Sequence, residues 1–231
     1  MNRSLVTFLL FLCLLVGGGA LLAWWVGPAM ISLALDDERR GAPYYVIHLL
    51  DAQDPAGYFQ TFGGLLREEE AQLLWRGSLQ ALHSGRTQDE IGDVAVIEFS
   101  AGSSVVQMLT SSAYRQLTAT DEPILLGSAL PPSPIAHDES LVLWLVEVVE
   151  GGDVAELEAL GSTAGEYQGQ LIWSAPIDVL DGERRWNHAL LIAFPDGSAL
   201  SGWLNAPATT TDRALVRRQH ASEAMLELRS G

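Results

Sequence analysis

His48 is the side chain of this chain best suited to acid–base chemistry. It lies in the otherwise apolar run Tyr44-Tyr45-Val46-Ile47-His48-Leu49-Leu50. A histidine beside a carboxylate can serve as a general base near neutral pH. Glu147 is the candidate carboxylate. Counted back from Asp54 and Asp153, which open the helical segments that follow, His48 and Glu147 hold matching positions. Burying either group unpaired is costly, so the spacing predicts that they approach one another. Glu98 alternates with Val94 and Val96 and is expected to face the same space. Arg76 is expected to pair with Glu98 or to hold an anionic ligand. Tyr114 is a possible proton donor, and Trp75 and Trp173 fill the core or stack on a ligand. Each of these residues also has a plainer reading: His48 and Glu147 near a strand end or hydrogen-bonded against the helices, Glu98 a solvated strand end, Arg76 an exposed edge, and Tyr114 a packed ring.

No stronger motif competes with them. The sequence holds no HExxH, CxxC, G-x-S-x-G, Walker or dinucleotide-binding glycine pattern. His83, His137, His188 and His220 lack metal-ligand spacing, so neither a metal nor another cofactor is expected. The formal net charge is −16, and all the basic side chains are Arg. A nucleic-acid partner needs a basic footprint, and none is visible. The single Cys, Cys13, cannot form an internal disulfide.

The elements that must position these residues sit behind an apolar stretch that starts at Leu5 and ends at Val26. At about 1.5 Å per residue it reaches about 33 Å, enough for a hydrocarbon core of about 30 Å. Trp24-Trp25 closes it and Asp36-Asp37-Glu38-Arg39-Arg40 follows in water. A cleaved signal peptide is the rival reading, but the run is longer than such segments need. An uncleaved single-pass anchor with the amino terminus inside is expected. The remaining chain would then be extracytoplasmic, or periplasmic in a bacterium.

Beyond residue 40 the chain reads twice. Leu73-Leu74-Trp75-Arg76 returns as Leu171-Ile172-Trp173-Ser174. Each copy follows an Asp-capped helix, 55–70 in the first case, and precedes a turn. The spacing predicts strands over 44–50, 71–82, 93–99 and 124–126, with Gly77 as a bulge and a short helix over 103–109. It predicts counterparts over 141–149, 170–180, 189–194 and 224–228, with a clear extra helix over 211–220. A period near one hundred residues is a duplicated domain rather than a solenoid repeat. The expected organisation is an anchor over 1–40, one βαββαβ unit over 41–130, a Pro-rich linker over 131–140 and a second unit over 141–231. The fold class is α+β. Each unit gives an antiparallel sheet with helices on one face. Trp75 on one strand face and Leu74 on the other are both poorly suited to water, so each sheet is expected to cover the other.

Tyr45-Val46-Ile47, Asp54-Pro55, Trp75-Arg76-Gly77, Ile97-Glu98-Phe99 and Ser112-Ala113-Tyr114 resemble the DUF1330 family of the dimeric α/β-barrel superfamily. The resemblance spans nearly all of the first unit. The second departs from it, with Ser174-Ala175 in place of Arg76-Gly77. It implies ferredoxin-like units, two sheets packed face to face around a cavity, and both halves supplied by one chain. The superfamily includes cofactor-free monooxygenases, isomerases, haem-degrading enzymes and chlorite dismutases, and DUF1330 implies no single activity. A fold does not name a reaction. The reading is therefore a membrane-anchored domain that binds a small hydrophobic ligand or a partner between its sheets. The alternative is a cofactor-independent monooxygenase or isomerase acting on a small hydrophobic or aromatic substrate.

Overall fold

The computed structural model describes residues 41–50, 54–84, 92–119, 123–129, 140–149, 152–182, 184–206 and 223–230. The expected membrane segment, the linker and the helix over 211–220 lie outside them. Among the described residues no helix is long and apolar enough to cross a membrane.

The first half runs β1 (Tyr44–Leu50), α1 (Pro55–Glu68), β2 (Gln72–Ser84), β3 (Asp93–Phe99), α2 (Gly102–Thr110), α3 (Ser112–Leu117) and β4 (Ile124–Ser128). The second half runs β5 (Ser140–Val146), α4 (Val154–Ser162), a 3₁₀ turn (Thr163–Tyr167), β6 (Gln170–Pro176), β7 (Asp178–Asp181), β8 (His188–Phe194), α5 (Gly197–Asn205) and β9 (Glu223–Ser230). Local chemistry sets the helix starts. Asp54 accepts a bond from the Gly57 amide at 3.0 Å, and Pro55 fills the first helical position, where no donor is lost. Asp153 caps α4 through the Ala155 amide at 2.8 Å, and Asp196 caps α5 through two amides.

The strands join in one nine-stranded antiparallel sheet, ordered β6-β8-β5-β9-β2-β3-β1-β4-β7. Its two outer members, β6 and β7, are consecutive in the chain and meet at Ile177, so the order closes on itself. The strand expected over 170–180 divides there, where the chain changes its pairing partner. Its first part pairs with β8 and its second with β4. β2 does the same without a break, pairing first with β3 and then with β9. The bulge expected at Gly77 lies instead between Leu73 and Trp75, and a matching irregularity falls between Leu171 and Trp173.

Strand alternation sorts the core into three parts. Ile47, Leu49, Val94, Val96, Leu143 and Leu191 are among the residues that fill the space enclosed by the sheet, together with Trp75 and Trp173. A second cluster packs β1, β3 and β4 against α1, α2 and α3. A third packs β5, β8 and β9 against α4 and α5. Among the described residues the space enclosed by the sheet is packed with side chains. The void bounded by Ile47, Val94, Val96, Leu143, Trp173 and Leu191 measures about 10 Å³, at most the room of one water. The ligand cavity expected between two sheets is therefore replaced by packed side chains. The expected apolar cover also fails at the start of β2, where Leu73 and Leu74 are 47% and 42% exposed.

Candidate functional site

His48 is fully buried and takes its plainer reading, hydrogen-bonded against a helix rather than facing the enclosed space. Its neighbours Ile47 and Leu49 point into the enclosed core, so His48 points out, under α1. There its Nε2 lies 3.0 Å from the Tyr58 hydroxyl. The Tyr58, Phe59 and Phe62 rings surround it, with centroids 5.4, 5.6 and 4.7 Å away. Its Nδ1 has no hydrogen-bond partner. Burial in this aromatic cage pushes the imidazole pKa down to about 3. His48 is thus a neutral group at physiological pH, and the rings of α1 seal it from water.

Glu147 does not meet it. Glu147 is half-buried just past the end of β5, and the sheet order puts β9, β2 and β3 between β5 and β1. The strand register explains the difference. Leu50 faces Asp93, the first residue of β3, and Val146 faces His188, the first residue of β8. Counted from those pairs, the counterpart of His48 is Trp144, which is fully buried under the second helix layer. The connection from β5 to its capping Asp is three residues longer than that from β1, so counting from the caps misaligned the two strands.

Beside His48, on the far side of Phe59 and Phe62, an open groove of about 440 Å³ runs between α1 and β2. That lies within the range of small-molecule sites, roughly 300–1,000 Å³. Phe59, Phe62 and Leu66 form its apolar wall, Leu73 its far side, and Arg67 and Arg76 supply two cations. Gln60 adds an amide. The groove exists because α1 is cut away there. Gly63 lines it, and a Cβ built on Gly63 meets nothing within 4 Å. The Arg76 guanidinium stands 4.1 Å over the Phe59 ring and makes one 3.3 Å contact to Asp93. A planar guanidinium held by one nitrogen keeps other N–H groups available. The expected pair of Arg76 with Glu98 is not formed, because the two lie on opposite faces of the sheet. Glu98 alternates with Val94 and Val96 on the inner face, as expected, and is half-buried at the end of β3, opposite Tyr45 and Gln72.

The remaining candidates have structural partners. Tyr114 is buried, and its hydroxyl donates to Asp181 Oδ2 at 2.8 Å. Burial first, then the Asp181 carboxylate, raises its pKa, which keeps it protonated. Trp75 and Trp173 are buried in the enclosed core, where each indole N–H lacks an acceptor. Neither has room to stack on a ligand. Among the described residues no group of three metal-ligating side chains occurs.

No family model matches the chain, and no curated protein matches it by sequence. Solved structures do resemble it. An anthrone oxidase-like protein aligns over 80% of this chain and 91% of its own, at 13% identity and a TM-score of 0.51. A dye-decolorizing protein from V. cholerae aligns over 83% of this chain and 95% of its own, at 13% identity and a TM-score of 0.46. At that identity the likeness concerns the fold alone. The chain has an α+β fold similar to that of the anthrone oxidase-like protein.

Two features escaped the sequence reading. Ala56, Gln60, Gly63 and Arg67 form a second stripe on α1, at spacings of three and four, beside the apolar stripe of Tyr58, Phe62 and Leu65. That stripe lines the groove, and its spacing was visible in the sequence. The second is in the other half. The Ser174 hydroxyl donates to Glu158 Oε1 at 2.8 Å and lies 2.9 Å from His188 Nε2. Burial lowers the His188 pKa, and the nearby Glu158 carboxylate opposes that shift. No sequence motif marks this chain of three, because its members come from a helix and two different strands.

Proposed function

We propose that the chain is a membrane-anchored binding protein that holds a small hydrophobic molecule in the groove between α1 and β2. The groove itself carries this reading: about 440 Å³, aromatic on one side, open to solvent and flanked by two Arg side chains. The site moves from between the sheets to the outer face of the first half, because the inner space is filled. Residues 41–130 and 141–231 are read as two ferredoxin-like units packed sheet to sheet. The matching Asp caps, the matching Trp bulges and the pairing of β2 with β9 and β4 with β7 support that reading. Residues 5–26 are read as the anchor, with the units on the extracytoplasmic side.

The test is equilibrium binding of a neutral aromatic probe, naphthamide, to the full-length chain and to Gly63→Trp. The tryptophan would project into the open space beside Gly63. Binding to the parent and not to the variant is expected. Equal retention by both, or by neither, removes the groove as the site.

A second reading, a cofactor-independent monooxygenase or isomerase, is favoured by the free Nδ1 lone pair or proton of His48 behind the groove wall. A substrate displacing the Phe59 or Phe62 ring would reach a neutral imidazole able to take a proton. Turnover of a small aromatic or quinone-like compound, abolished in His48→Ala while Gly63→Ala retains it, would establish this second reading. Turnover that survives His48→Ala would exclude His48 as its base.

A further inference from the structure

The two halves treat the same helix–strand gap in opposite ways. Phe59 and Glu158 each stand five residues beyond a capping Asp. Arg76 and Ser174 each follow the Trp that closes a strand bulge. Asp93 and His188 each open the neighbouring strand. In the second half the helix sends its own carboxylate across the gap, Glu158 to Ser174, with His188 beside it. In the first half the helix supplies a ring, Phe59, and the strand supplies a cation, Arg76. A carboxylate from the helix is missing there, and the groove opens at that place.

We propose that the ligand itself brings this carboxylate: the first-half groove takes an aromatic or aliphatic monocarboxylate, its acid group on Arg76 and Arg67 and its apolar body against Phe59, Phe62 and Leu73. This rests on the groove being the binding site. Arg67 and Arg76 are the charged side chains of the lining, and no acid is among the groove residues. Asp93 occupies only one guanidinium nitrogen of Arg76, at 3.3 Å. A forked guanidinium can hold a second carboxylate on its other N–H groups. In a chain of net charge −16, an anion is otherwise repelled, so this local pair of cations selects where one can bind. In the second half Glu158 and Ser174 bridge the corresponding gap, so among the described residues this pair of cations has no counterpart there and one ligand per chain is expected.

The experiment compares naphthoate with its neutral isostere naphthamide, by equilibrium dialysis on the full-length chain, with Gly63→Trp as the blank. Naphthoate is expected to bind about tenfold more tightly or better, the gain of a charge-assisted pair, with one site per chain. Arg76→Ala should bring the two probes to within about twofold while naphthamide binding persists. Arg67→Ala should weaken naphthoate by a smaller factor. If both probes bind equally and Gly63→Trp abolishes both, the groove stands and the carboxylate preference is overturned. If neither probe shows binding sensitive to Gly63→Trp, the groove and the preference fall together.

Discussion

The Nε2 of His48 and the hydroxyl of Tyr58 lie 3.0 Å apart inside a cage of aromatic rings, and the opposite ring nitrogen of His48 has no partner. A histidine so placed folds neutral. Its pKa falls from 6.5 in the unfolded chain to about 3 in the folded one. Between those values the unfolded chain binds a proton that the folded chain refuses. Stability contributed by this group is therefore complete above about pH 6.5 and is lost as pH drops towards 3, by about 1.4 kcal/mol per pH unit. His48→Phe should remove that slope. Urea denaturation of parent and variant at several pH values between 4 and 6.5 checks it: the difference in unfolding free energy must change with pH in that window. Parallel curves would mean that His48 titrates normally.

Tyr44 and Gly127 are locked together on the neighbouring strand. A Cβ on Gly127 would stand 2.5 Å from the Tyr44 ring and hydroxyl and 2.9 Å from Leu180. The same hydroxyl donates to Asp178 at 3.0 Å, where β7 closes the sheet against β4. Gly127→Ala is expected to cost about 1–3 kcal/mol through overpacking. In the Tyr44→Phe background the cost should shrink, because the crowded hydroxyl is gone. A double-mutant cycle with no coupling between the two positions would show that the seam relaxes elsewhere.

What the sequence discloses depends on how local the cause is. The caps at Asp54 and Asp153 and the apolar run of β1 follow from neighbours a few residues away, and they form as read. The pairing of His48 with Glu147 rested on counting across two connections of unequal length, and a strand keeps no memory of that count. The expected Arg76–Glu98 pair failed by the two-residue alternation of strands, which puts adjacent positions on opposite faces. The stripe of Ala56, Gln60, Gly63 and Arg67 is legible as helical spacing, but that it borders an open groove depends on where β2 lies beside α1, which no local pattern encodes.

His188 gives a direct test of the polar chain in the second half. Burial lowers its pKa, and the Glu158 carboxylate raises it. Glu158→Gln removes the raising charge and keeps a hydrogen-bonding group near Ser174. The His188 pKa, followed by NMR of the imidazole, should therefore fall further in Glu158→Gln. A rise, or no change, would mean that the carboxylate does not act on the ring.

The enclosed core draws on both halves, with Ile47 and Val96 from one and Leu143 and Leu191 from the other. Leu143 is 2% exposed there. Leu143→Ala leaves a cavity and should cost about 2–5 kcal/mol. If the core is one energetic unit, that loss is felt on both sides of it. Amide hydrogen exchange should then accelerate equally for the slowest amides of β1 and of β8, although β1 carries no substitution. Acceleration confined to β5, β8 and β9 would show two halves that touch without sharing stability.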